Sequence, residues 1–208
     1  MEFSDVIARR RAVNFFDPKR EVDHDLVVKL VETAALAPSS FNLQPWNLMV
    51  LTSMADRQKL RKLAWDQAKI TDAPVVLIVL ADRDGWKKGH PIMEKNFTEM
   101  MAAGMPEEKY EWYVNACTGL YGTSSQRDLA FACKNAGFFA MSLMLAAKDL
   151  GLDTHPMDGF DLEGVRAAFN IPENFWIPCL IAVGYYDYTV TLAPPKWRKS
   201  YAEIVLKF

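Results

Sequence analysis

Apolar and polar positions along this chain follow two different periods, and the changes of period divide it into elements. Residues 3–10 read as a short helix. From residue 23 or 24 to 35, Leu26, Val27, Leu30, Val31 and Ala34 make one apolar helical face, with Asp23 or Asp25 as N-cap and Pro38 beyond the end. Residues 47–51 read as a strand and 55–65 as a helix. Residues 75–80 are an unbroken run of β-branched residues and leucine, the pattern of a strand buried on both faces. Methionine, glutamate and aromatics dominate 86–122, where two helices broken near Gly104-Met105-Pro106 are expected.

Residues 125–150 give the strongest helical pattern, with Leu129, Ala132, Cys133, Ala136, Ala140, Leu143, Met144 and Ala147 interleaved. A helix apolar on most faces must be covered on most faces, by the core of one chain or by a second copy. Residues 161–169 read as a short helix, and 176–185 as a strand with Pro178 near its start. The tail from 194 is basic first and then apolar, ending in Ile204, Val205, Leu206 and Phe208. Strands separated by unequal helical stretches predict an α+β fold about a central sheet rather than regular βαβ winding.

Composition supports a folded chain. Half of the 208 residues are hydrophobic, enough for one compact domain that needs neither disulfides nor a structural metal. A net charge of −2 supplies no field for general nucleic-acid or polybasic membrane binding. Cys117, Cys133 and Cys179 are far apart and set in apolar stretches, which suggests free thiols in a reducing compartment. His24, His90 and His155 have no zinc spacing. The N-terminal residues lack an apolar signal segment, and the runs at 74–81 and 176–186 are shorter than the ~20 residues a membrane span needs. A soluble cytoplasmic protein is expected, with no membrane or nucleic-acid partner.

Four clusters could carry chemistry. Residues 9–16 read Arg-Arg-Arg-Ala-Val-Asn-Phe-Phe. A guanidinium is a planar fork of donors that fits a phosphate edge, although a solvated surface explains the same arginines. Residues 37–46, Ala-Pro-Ser-Ser-Phe-Asn-Leu-Gln-Pro-Trp, crowd donors and acceptors into a turn between two prolines, more than an ordinary polar loop needs. Residues 151–160, Gly-Leu-Asp-Thr-His-Pro-Met-Asp-Gly-Phe, read as a helix-ending loop. Gly151 suits a left-handed C-cap there, and Gly159 would let a backbone amide approach a planar ligand. Residues 194–199, Pro-Pro-Lys-Trp-Arg-Lys, form an extended basic segment. A solvated surface, a single-strand contact disfavoured by the net charge, and a second phosphate clamp all remain open for it.

In this order and spacing the four clusters resemble the FMN-dependent nitroreductase family, over almost the whole chain and closest to its oxygen-insensitive NAD(P)H nitroreductase branch. The carrying residues are Arg10-Arg11 with Phe16-Asp17, the run 37–46, Gly151-Leu152-Asp153 with 156–161, and Pro195-Lys196-Trp197-Arg198. The resemblance implies one nitroreductase-like domain over 1–208, with a central, mostly antiparallel sheet flanked by helices. It implies an intertwined homodimer with two FMN sites at the subunit interface. In that arrangement 86–122 is a helical excursion and 190–208 reaches the partner subunit.

The resemblance also implies roles. Arg10 and Arg11, with Lys196 and Arg198, would hold the phosphate end and ribityl chain of FMN, Ala12 belongs to the phosphate site, and Asn14 would stand near the flavin edge. Pro38, Ser39, Ser40 and Asn42 would come from the second subunit. Pro156, Met157, Asp158 and Gly159 would pack on one flavin face, where a backbone amide meets N5. Gln67 would reach the pyrimidine side; Lys69 is a second candidate there and, with Phe41, faces the acceptor. Ala12 stands where the family often has Ser, Asp158 where Glu is usual, and Asp66 where Asn is usual. The implied activity passes hydride from NADH or NADPH through flavin N5 to nitroaromatic, quinone or similar small acceptors, by a ping-pong mechanism without a catalytic side chain. The alternative is a non-catalytic flavin-binding protein for storage or sensing.

Overall fold

The computed structural model describes residues 2–206, so Phe208 of the expected apolar tail lies outside the described residues. Its sheet has four strands, β1 Trp46–Leu51, β2 Val75–Asp82, β3 Asp153–Met157 and β4 Phe175–Gly184, in the order β1-β2-β4-β3. All three pairings are antiparallel. The unbroken apolar run becomes β2, a central strand buried at every residue. Alternate side chains serve two cores. Val75, Leu77, Val79 and Ala81 face one side; Val76, Ile78 and Leu80 face the other.

Helices cover both faces. On the first side lie α2 His24–Ala34, α5 Pro91–Ala102, α6 Tyr110–Tyr121 and α7 Ser125–Asp149, which contribute Leu30, Phe97, Tyr113 and Phe139 to the core. On the second lie α3 Met54–Leu63, α4 Lys69–Asp72 and α8 Leu162–Ala168, with Leu60, Ile70 and Val165. The short α1, Phe3–Arg9, packs near α7. The expected break between α5 and α6 falls at Gly104, whose φ of 101° ends the first helix.

By length and apolar composition α7 could cross a membrane. Here it is a core helix on the sheet, with Phe131, Ala132, Phe139, Leu143 and Ala147 buried. Phe138 and Met141, on another face of the helix, are exposed. Residues 191–206 of the tail are exposed, including Trp197, Ile204 and Leu206 and the short α9, Tyr201–Ile204.

Residues 153–157, expected within a helix-ending loop, form the edge strand β3, paired to β4 from Asp153↔Gly184 to Met157↔Leu180. Pro156 and Met157 are therefore strand residues, and the loop begins at Asp158. An edge tolerates a proline because one side of the strand needs no partner. Pro178 is accommodated differently, inside central β4, at the point where its register with β2 shifts.

Candidate active site

After α1 the chain runs extended along the β3 edge. Ala12 bridges Thr154 in parallel, and the Val13 amide donates to the Thr154 carbonyl at 3.1 Å. Val13 and Phe16 are buried in the second core, which fixes the segment. The C-terminal tail returns to the same place, where Arg11 Nη2 donates to the Ala193 carbonyl at 2.7 Å. Between them is a cleft of about 210 Å³ lined by Arg10, Arg11, Ala12, Asn14, Lys196 and Arg198 among others. Sequence ends nearly 200 residues apart thus form one basic surface.

The charges in this cleft are unbalanced. Burial pushes the Arg10 pKa below its ordinary value, and the neighbouring Arg198 and Arg11 push it further down. Among the described residues no ion pair engages Arg10, Arg11, Lys196 or Arg198. Converging cations without a carboxylate are a donor set for a polyanion.

Beside the cleft, β3 ends at a second group of donors. Gln67 Nε2 donates to the Gly159 carbonyl at 3.0 Å, and Lys69 Nζ donates to Gln67 Oε1 at 3.1 Å. Asp66 is turned away, its carboxylate held by Arg61 Nε at 2.6 Å. The Trp65 indole lies on Gly159, where an added Cβ would stand 2.6 Å from Trp65 Cε3. Glycine is needed here for the close approach of a ring. Trp65 and Asp66 both have left-handed backbones, with φ of 52° and 51°.

His155 joins the two groups. Its Nδ1 lies 2.9 Å from the Val13 carbonyl, which can only accept, so Nδ1 carries the proton. Burial lowers its pKa below the ordinary 6.5, and Lys69 lowers it further. The imidazole is neutral in the folded protein at neutral pH. As pH falls through 6.5 the unfolded chain takes the proton first, so this contribution to stability is present above 6.5 and is lost on acidification. Thermal melts from neutral to mildly acidic pH should show His155→Gln losing less stability than wild type. Equal losses in both would remove His155 as a cause.

The loop at 38–44 stands elsewhere, on the first core. Phe41, Asn42 and Gln44 have left-handed φ of 52°, 55° and 42°. Ser39 Oγ accepts from the Gln44 amide at 2.9 Å. The Ser40 amide donates to Asn135 Oδ1 at 3.0 Å, and the Phe41 ring meets the edge of Tyr113 at 5.7 Å. Among the described residues, no hydrogen bond, ion pair or ring contact joins 38–42 to Arg10, Arg11, Asn14, 156–159 or the tail. One chain therefore brings together three of the four clusters. Phe41 and Lys69, read together as facing the acceptor, also lie in different groups. The sequence motifs give no role to Trp65, Asn96, Asn135 or His155. A buried-face amide within an apolar helix was the available signal for Asn135.

Comparison with known proteins is decisive at this point. The model described as the nitroreductase family matches residues 7–185. The chain belongs to the nitroreductase family. An NADH dehydrogenase of Thermus thermophilus is 32% identical over 178 residues, covering 85% of this chain and 83% of that protein. The crystal structure of ydfN from Bacillus subtilis superposes with a TM-score of 0.91 at 28% identity, covering 100% of this chain and 99% of that one. A protein of Exiguobacterium sibiricum solved in complex with FMN has a TM-score of 0.85 at 24% identity, covering 99% and 96%. At that identity the last match is one of fold. The antiparallel four-stranded sheet between helical layers is thus the nitroreductase fold, as the four clusters implied.

Proposed function

We propose that this nitroreductase-family protein is an FMN-dependent NAD(P)H oxidoreductase acting on nitroaromatic, quinone or similar small acceptors by alternating half-reactions at one pocket. The observation that carries the reading is the cleft in which Arg10, Arg11, Lys196 and Arg198 converge with no carboxylate among the described residues that line it. Its donor set fits the phosphate of FMN, and a protein of the same fold has been solved with FMN bound. A relative named for its use of NADH supports the nicotinamide donor.

The residues divide the work. Arg10 and Arg11 with Lys196 and Arg198 would hold the phosphate, and Asn14 would stand near the flavin edge. Gln67 and Lys69 would offer donors beside Gly159, where partial charge on a reduced ring system is best stabilised. Bound FMN supplies the two-electron chemistry between nicotinamide and acceptor. The protein acts as a homodimer in this reading. Its support is the exposed apolar surface on Phe138 and Met141 of α7 and on Trp197, Ile204 and Leu206 of the tail. A second copy would also supply Pro38, Ser39, Ser40 and Asn42, which stand apart from the cleft in one chain. The tail, 190–208, would lie on that second copy.

The test is an absorption spectrum of the purified protein, then addition of NADH and of NADPH without oxygen. Flavin bands that bleach are expected. Bands that persist with both donors would instead favour flavin storage or sensing. Absence of flavin after incubation with excess FMN would overturn the cofactor assignment.

A further inference from the structure

The loop that carries Ser39, Ser40 and Asn42 is bent into a backbone its residues rarely adopt. Phe41, Asn42 and Gln44 are all left-handed and none is glycine. Such geometry persists only where surrounding groups over-determine it. Two buried amides do so here, from two different helices. Asn96 of α5 is 7% exposed. Its Nδ2 donates to the Phe41 carbonyl at 2.6 Å and to Tyr113 Oη at 2.8 Å, and its Oδ1 accepts from Asn42 Nδ2 at 3.5 Å. Asn135 of α7 is fully buried. Its Oδ1 accepts from the Ser40 amide at 3.0 Å and from Ser40 Oγ at 3.4 Å, while Nδ2 donates to the Phe131 carbonyl at 2.7 Å.

Each amide sits among apolar side chains, where an unpaired polar group is costly. Their bonds to Ser40, Phe41 and Asn42 exist only while the loop keeps this shape. The loop shape and the two amides therefore hold each other in place. Among the described residues, neither amide has a hydrogen bond to the basic cleft, to 156–159 or to the tail. Asn96 has a further consequence. Through Tyr113 it ties α6 to the Phe41 backbone, and the Phe41 and Tyr113 rings meet edge to face at 66°. A displacement of α5 or α6 must pass to Phe41.

We propose that Asn96 and Asn135 are positioning residues for the flavin reaction: they set the left-handed 39–42 loop, and so the face that its serines and Asn42 present to bound FMN. This rests on the proposed function. It extends that reading to two residues, neither of which belongs to any of the four sequence clusters. It also makes α5 and α6 part of the mechanism that orients Phe41, rather than a passive cover.

The experiment measures FMN affinity by fluorescence titration and the visible circular dichroism of bound FMN, for wild type, Asn96→Ala, Asn135→Ala and Leu60→Ala. Leu60 is fully buried in α3 on the opposite side of the sheet, so its truncation lowers stability without touching the loop. The asparagine variants should bind FMN about tenfold or more weakly, with an altered dichroism, as expected for loss of a geometry that several bonds enforce. Leu60→Ala should melt lower and bind FMN as wild type does. If an alanine variant does not fold, Tyr113→Phe removes one acceptor of Asn96 and keeps the packing; its FMN dichroism should change in the same direction. Asn135→Asp keeps an acceptor for Ser40 and should recover affinity relative to Asn135→Ala. Wild-type affinity and dichroism in the asparagine and Tyr113→Phe variants would overturn the proposal alone. So would equal weakening in Leu60→Ala. A wild type that takes up no FMN would overturn the cofactor reading, and the proposal with it.

Discussion

Arg10→Ala should weaken FMN binding by about ten- to a hundredfold while leaving the protein as stable as before or slightly more so. Hydrogen bonds to a charged group contribute ~1.5–3 kcal/mol, and each ~1.4 kcal/mol is a factor of ten in affinity. Arg10 is half-buried, and Arg198 and Arg11 disfavour its charge. Without an anion its side chain is repelled by its neighbours, so deleting it relieves strain in the free protein. With an anion it is well placed to bind, because it is the half-buried arginine whose charge both other arginines oppose. Opposite signs for stability and affinity are the mark of a site selected for binding. Arg198→Ala should act in the same direction but less, since Arg198 is exposed on the tail. Arg10→Lys should recover only part of the loss, because the ammonium keeps the charge but not the planar fork. The check is a fluorescence titration at two salt concentrations, with thermal melts of the same samples. An unchanged affinity in Arg10→Ala would remove the cleft as the phosphate site.

Asp153→Ala should lower the melting temperature by ~6–12 °C. Lys148 Nζ and Asp153 Oδ1 form an ion pair of 2.7 Å, with side-chain exposures of 18% and 7%. Removing one partner of such a pair leaves a largely buried charge, at ~3–5 kcal/mol. The partial exposure of Lys148 favours the lower end of that range. For a chain of this length each kcal/mol moves the midpoint by ~2–4 °C. The pair also has a place in the fold. It ties the last turn of α7 to the first residue of β3, and β3 carries Thr154 and His155, which hold Val13 beside the cleft. Loss of FMN affinity should therefore accompany the loss of stability. Replacing both partners, Lys148→Met with Asp153→Leu, should restore much of the melting temperature, since the buried charge goes with its partner. Calorimetric or dichroism melts decide it; a wild-type midpoint in Asp153→Ala would mean that solvent reaches Lys148 after all.

Much of this fold is legible along the chain, and the exceptions have physical causes. The run in β2 has the pattern of a strand covered on both sides. The pattern in α7 is that of a long, largely apolar helix. β3 was not legible because Pro156 and the flanking Gly151 and Gly159 are turn residues, and five residues are too few for alternation to stand out. Its strand character comes from pairing with β4, a partner more than twenty residues later in the chain. The site divides in the same way. Arginine and lysine clusters, the serine loop and Gly159 are visible as residue types at fixed spacing. Asn96 and Asn135 are not, because a buried amide inside an apolar helix has meaning only through the carbonyl or amide it meets.

The amino-acid order thus determined by itself the elements other than β3, the two-sided covering of β2 and the kind of chemistry each cluster could perform, since periodicity and functional groups are local properties. Only the tertiary structure decided which clusters meet. Val13 reaches His155 across 142 residues, and Arg11 reaches Ala193 across 182. The 38–44 loop, much nearer to Arg11 in the chain, lies on the other core. Sheet closure and burial choose those neighbours, and both depend on the whole chain at once.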